Sequence, residues 1–151
     1  MKWVTRERPK IDRIACPWLI LRFIDHEAEF LYVPKDQVRS EAKRTGAIPF
    51  DIPGVELTHE GDKCSFDAIL KKYQLEDPAL ARLATIVRGA DTDRLDLAPQ
   101  CPGLLAITLG LGVNISDDQA LLRAGLVVYD ALHTWCRDLV RETHGWHPEQ
   151  M

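Results

Sequence analysis

The segment Glu56–Asp67 places a carboxylate, an imidazole, a thiol and further carboxylates close together, as Glu56, His59, Glu60, Asp62, Cys64 and Asp67. These are the side chains that ligate transition metals, although their spacing matches none of the standard zinc patterns. On a strand, Glu56 and Thr58 would share one face and Leu57 and His59 the other. A tight turn at Gly61 would then bring His59 and Cys64 together. Asp67 is placed to cap a helix that starts at Ser65. A second segment, Arg88–Arg94, surrounds a helix end with Arg88, Asp91, Asp93 and Arg94. Asp91 and Asp93 could hold a cation through oxygen or pair with the arginines, but the glycine and distal glutamate of a calcium loop are missing. The metal reading therefore takes Glu56, His59, Cys64, Asp91 and Asp93 as ligands of a divalent zinc, iron or manganese ion.

A third segment, Arg13–Arg22, suits an anion or a thiolate. If Pro17 opens a helix, Cys16 caps it, where free backbone N–H groups and the dipole favour negative charge. Arg13 adds to that field, and Arg22 lies one turn beyond Trp18. With Arg88, these residues make an anion-binding set of Arg13, Cys16, Arg22 and Arg88. Each also has a plainer reading: Cys16 as a small buried residue, the arginines and aspartates as a network that fixes turns. His133 reads as a packed histidine, and His144 and His147 as solvated. No GxSxG, phosphate loop, dinucleotide fingerprint or HExxH occurs. That the three segments form one pocket is an expectation for the fold to decide.

The elements that would position these residues follow from periodicity and breakers. Short strands are expected at Trp3–Thr5, Glu29–Val33, Ile48–Phe50 and Val55–Thr58. Helices are expected from Cys16 to about Asp25, over Lys35–Arg44 with a stop near Gly46, and over Ser65–Tyr73. Asp77-Pro78 opens another, with Leu80, Leu83, Ala84 and Val87 on one face and Gly89 as its stop. Pro102–Leu111 follows. Ser116-Asp117-Asp118-Gln119 reads as a capping box for a long helix ending near His144. The expected fold class is α+β, a small sheet from the N-terminal half packed against a mainly helical C-terminal half.

Composition bounds the rest. The 151 residues fit one domain with one core, spanning 1–151. No apolar run approaches the roughly 18 residues of a membrane-crossing helix, and the first residues lack the apolar stretch of a secretory signal. Four widely spaced cysteines without a CxxC pair fit reduced thiols, hence a cytoplasmic protein. The net charge of -4 argues against a general nucleic-acid surface. Residues 1–25 nevertheless carry net +3, leaving the remainder at -7.

The run Arg8-Pro9-Lys10-Ile11-Asp12-Arg13-Ile14-Ala15-Cys16-Pro17-Trp18-Leu19-Ile20 resembles the opening of the chromate-resistance protein family, the C-terminal domain of the regulator ChrB. Phe30–Pro34, Gly46–Leu57, His59 with Cys64-Ser65-Phe66, Ile86–Asp93 and Val128–Leu132 extend the resemblance from about Trp3 to Cys136. It implies a role in chromate resistance and chromate-responsive regulation, a stress response. It further implies a domain that in the regulator follows a DNA-binding region, so direct DNA binding is not expected without an added domain. Within that frame the expected function is binding or sensing of a small oxyanion, with a metal site. The alternatives are a metal-dependent enzyme using Glu56, His59 and Asp91 or Asp93, a thiol-dependent reductase using Cys16, and a homo-oligomerising module.

Overall fold

The computed structural model describes residues 1–150. Its sheet has three parallel strands in the order β2-β1-β3: β1 (Lys2–Arg6), β2 (Glu29–Val33) and β3 (Ile48–Pro49). Trp3, Val4 and Thr5 of the central strand are fully buried. Because successive side chains point to opposite faces, Trp3 joins the main core while Val4 joins a second, smaller one. Helix α1 (Asp12–Phe23) links β1 to β2 and belongs to the main core. Helix α2 (Val38–Thr45) links β2 to β3 and covers the Val4 side with Val38. Gly46, at φ 76°, supplies the left-handed residue that ends α2. The chain therefore leaves β1 toward one side of the sheet and reaches β3 on the other. Ligands of open parallel sheets bind where strand order reverses in this way, beyond the carboxyl ends of the strands.

The C-terminal half is helical: α3 (Ser65–Lys72), α4 (Pro78–Asp91), α5 (Cys101–Asn114) and α6 (Asp118–Thr134), the last followed by a π-helical turn at Trp135–Leu139. The α+β architecture of a small N-terminal sheet and a mostly helical C-terminal half is thus present. The Asp77 carboxylate caps α4 through the N–H groups of Ala79 (2.7 Å) and Leu80 (3.2 Å). Asp117 caps α6 through Ala120 N–H.

Several boundaries differ from expectation for identifiable reasons. α1 starts at Asp12, so Pro17 lies inside the helix and Cys16 is not its cap. Proline removes the N–H that would bond the Arg13 carbonyl, and the Tyr32 hydroxyl donates to that carbonyl instead, at 2.7 Å. α4 runs through Gly89 to Asp91. The glycine serves close approach rather than termination: a Cβ there would sit 2.3 Å from Cys101 Sγ and 2.7 Å from the Arg94 carbonyl oxygen. Val55–Thr58 is not a strand; one bridge, Phe50 to Leu57, ties it to the sheet. Lys35–Gln37 is a 3-10 turn ahead of α2, and α6 ends at Thr134, well short of His144.

Candidate metal centre

The two turns beyond β1 and β3 carry the buried acids. Asp12 opens α1 and is fully buried, and Asp51 follows β3 and is 5% exposed. Both turns hold the backbone in a region that residues with side chains avoid: Arg8 has φ 54°, Ile11 φ 38° and Asp51 φ 54°. For the β-branched Ile11 this is strained, and such outliers persist where surrounding structure fixes them. The Tyr129 hydroxyl donates to the Ile11 carbonyl at 3.2 Å. The Arg8 guanidinium clasps the α5–α6 connection through the carbonyls of Gly112, Ile115 and Ser116 and the carboxylate of Asp118.

Three segments converge on the imidazole of a fourth. His59 Nε2 lies 2.9 Å from Asp91 Oδ2, 3.3 Å from Asp51 Oδ1 and 3.4 Å from Asp12 Oδ2. One ligand atom each from Asp12, His59 and Asp91 falls within 4.8 Å of the other two. The Asp12 carboxylate is fixed by the α3 N-terminus: it accepts from Ser65 N–H at 2.7 Å and Phe66 N–H at 3.2 Å. Free amides and the helix dipole make that a favourable place for a buried anion. Asp51 accepts from the Ser65 hydroxyl at 2.7 Å and lies 3.4 Å from Arg6 and 3.6 Å from Arg13. α3 is itself held by Asp67, whose carboxylate accepts from Cys64 N–H at 3.0 Å and takes both prongs of Arg88.

Three carboxylates crowd one imidazole here, with the guanidiniums of Arg6 and Arg13 facing Asp51. Hydrogen bonds to Asp12 and Asp51 push His59 up to about 10, so it is an imidazolium at neutral pH. Burial, then the charges of Asp12 and Asp51, push Asp91 up to about 7. Burial also raises Asp51, but His59, Ser65 and Arg6 more than offset it and hold Asp51 below the ordinary range. A divalent cation in place of the imidazolium proton would answer the remaining demand. His59, 40% exposed at its side chain, and Asp91 open onto a cavity of about 640 Å³ shared with Arg88, Thr92 and Arg94.

A family model for the ChrB C-terminal domain matches residues 3–136. The chain belongs to the ChrB C-terminal domain family. It is 37% identical over 134 residues to Protein ChrB of Cupriavidus metallidurans, covering 88% of this chain and 40% of that relative. The chain thus spans under half the length of the relative it matches, and the chromate-resistance resemblance of its motifs rests on this family. No solved structure matches it. Among the described residues no helix is long and apolar enough to cross a membrane.

In this ChrB-family chain two of the three polar segments meet, through His59 and Asp91, and the residue that joins them is Asp12, just before the segment Arg13–Arg22. His59 and Asp91 lie in the cluster, and the other residues expected as ligands lie elsewhere. Glu56 is exposed and paired with Lys72 at 2.7 Å. It points away because its segment is a bend instead of a strand. Asp93, at φ 60°, is exposed on the cavity rim. Cys64 is buried at the α3 cap with its sulfur 3.3 Å from Asp67.

The expected anion set is not assembled. Arg13 donates to the carbonyls of Arg6 and Glu7 and faces Asp51. Arg88 is committed to Asp67, and Arg22 to Asp130 on α6 at 2.9 Å. Cys16, inside α1, donates to Asp12 at 3.7 Å. Burial, then the charges of Asp12 and Asp51, push its thiol well above the usual range, the opposite of what makes a reactive thiolate. Cys64 is raised by burial too.

Asp12 and Asp51 are the residues of the cluster that motif reading missed. Asp12 stood inside the family-like run that also holds the more conspicuous Cys16, and Asp51 fell between the expected strands Ile48–Phe50 and Val55–Thr58. The available signal was positional: each is an aspartate just beyond a strand of a parallel sheet, where such folds place their polar sites.

Proposed function

We propose that this chain is a divalent-cation-binding domain acting in chromate resistance, with Asp12, His59 and Asp91 as ligands and Asp51 closing the cluster. The convergence of three aspartates on His59 carries this reading. The donors are carboxylate oxygen and imidazole nitrogen without thiolate, which favours manganese or ferrous iron over a thiolate-type zinc site. A sensing role fits the connectivity. The ligands come from the β1–α1 turn, the loop before α3 and the end of α4, so occupancy would tie separate parts of the chain together. Stabilisation by a ligand that binds the folded form follows mass action. With four buried cysteines free, the reading places the protein in a reducing cytoplasm.

A metal-dependent enzyme is the second reading, favoured by one observation: His59 and Asp91 border an open cavity. A cation held from one side keeps a position for water or substrate there.

The test is titration of chelator-treated protein with manganese, ferrous iron and zinc by calorimetry, with elemental analysis of the protein as purified. Stoichiometric binding, weakened roughly a hundredfold or more in His59→Ala and Asp91→Asn and retained in Arg22→Ala, is the expected result. If none of these ions binds at millimolar concentration or shifts the melting temperature, the cluster is a structural ion-pair network and the proposal fails.

A further inference from the structure

We infer that the cavity in front of the cation receives a small anion with two oxygens, one ligating the cation and the other taken by Arg94. This rests on the cation reading above. Two guanidiniums reach the cavity that His59 and Asp91 border. Arg88 is the less available: its side chain is 20% exposed, both prongs bind Asp67, and Asp67 anchors the α3 cap. Arg94 is differently placed. Its side chain is 58% exposed and folds onto Asp96, itself 68% exposed and only two residues away, through bonds of 2.9 and 3.0 Å. An ion pair this open to water contributes little net stability, so a ligand carboxylate or oxyanion can replace Asp96 at small cost. The guanidinium fork suits either kind of anion.

The charges around the cavity point the same way. Asp62 and Asp93 on the rim oppose an anion, while Arg88 and Arg94 favour it. The balance is set by the cation, which one oxygen of the anion would ligate where His59 and Asp91 border the cavity. Arg6 and Arg13 already face Asp51. Anion binding should therefore depend on the metal. Thr92 is occupied, its hydroxyl donating to the Arg88 carbonyl at 2.6 Å, and this leaves Arg94 as the side chain with a donor fork to offer.

The experiment uses the full chain loaded with manganese and reads water-proton relaxation and calorimetry while sulfate or acetate is added. Sulfate probes tetrahedral oxyanions and acetate probes carboxylates. Either anion should bind and lower the relaxivity by displacing coordinated water. Arg94→Gln should weaken that binding roughly tenfold, the loss of one charge-assisted contact. Asp96→Asn should tighten it, because the competing carboxylate is gone. Neither substitution should alter manganese affinity more than about twofold, since both lie outside the ligand set. If manganese does not bind, the cation reading has failed. If it binds but neither anion does, or the metal-free chain binds them equally well, the anion inference is wrong. Unchanged anion affinity in both variants would remove Arg94 from the site.

Discussion

The two ends of α1 carry polar clusters of similar composition and opposite character. At its C-terminal end Arg22 forms a bidentate pair with Asp130, and the Trp18 indole N–H donates to the same carboxylate at 2.7 Å. That cluster joins two helices, is nearly half exposed, and is balanced in charge. At the N-terminal end, buried Asp12 and Asp51 meet Asp91 and the partly exposed His59, on segments remote in sequence, with three carboxylates crowded around one imidazole. Carboxylates and basic groups therefore do not by themselves mark a site. Unmet electrostatic demand in a buried setting, beside an opening, does.

The comparison would break most visibly with Asp12→Ala. The substitution leaves the Ser65 and Phe66 amides without their acceptor and His59 without one partner. A loss of about 3–5 kcal/mol is expected, or roughly 10 °C in melting temperature for a chain of this size. Calorimetric scanning checks it, and a loss below about 1 kcal/mol would mean that the N-terminal cluster behaves like the exposed one.

Asp91→Asn sharpens the contrast between folding and binding. The neutral amide relieves repulsion with Asp12 and Asp51, so the metal-free variant should melt no lower than wild type. Its manganese affinity should fall roughly a hundredfold or more, about 2.7 kcal/mol, through loss of a charged ligand. Equal manganese-induced shifts in melting temperature for the two proteins would contradict the ligand assignment.

The Asp67–Arg88 pair predicts an acid dependence larger than that of the exposed end, where Arg22 lowers Asp130 in the same direction but water screens the pair. Burial raises Asp67, but Arg88 and the Cys64 N–H outweigh it and hold the carboxyl below its ordinary 3.8. A carboxyl depressed in the folded state contributes stability above its unfolded value. That stability is lost as pH falls from about 3.8 through the lower folded value. Denaturant melts between pH 5 and 2 should show a shallower acid slope in Arg88→Met than in wild type.

The smallest effect belongs to the C-terminal end. Arg22→Ala should cost about 1 kcal/mol or less, an effect reduced by salt, and should leave cation binding unchanged. A large loss in either measurement would show that the exposed pair is coupled to the buried one through α1.

Much of the fold was legible because its signals are local. Glu29–Val33 is rich in β-prone apolar residues and stops at Pro34, Asp77-Pro78 caps and opens α4, and Gly46 ends α2. α1 was misjudged at Pro17 because the group that satisfies the freed Arg13 carbonyl is Tyr32, on a strand 19 residues away. Gly89 was misread as a stop because the atoms that require a glycine belong to Cys101 and Arg94.

The sequence alone determined the inventory: which segments hold ligating side chains, that His59 and Asp91 are worth attention, and the family to which the motifs point. Only the tertiary structure decided which of these side chains act together. Glu56 and Asp93 go to the surface, Cys16 and Cys64 to the core, and Asp12 and Asp51 to the ends of neighbouring parallel strands. The reason is physical. A residue's type fixes what it can bind, but the demand for a cation arises from charges brought together and removed from water, and this depends on contacts between segments far apart in the chain.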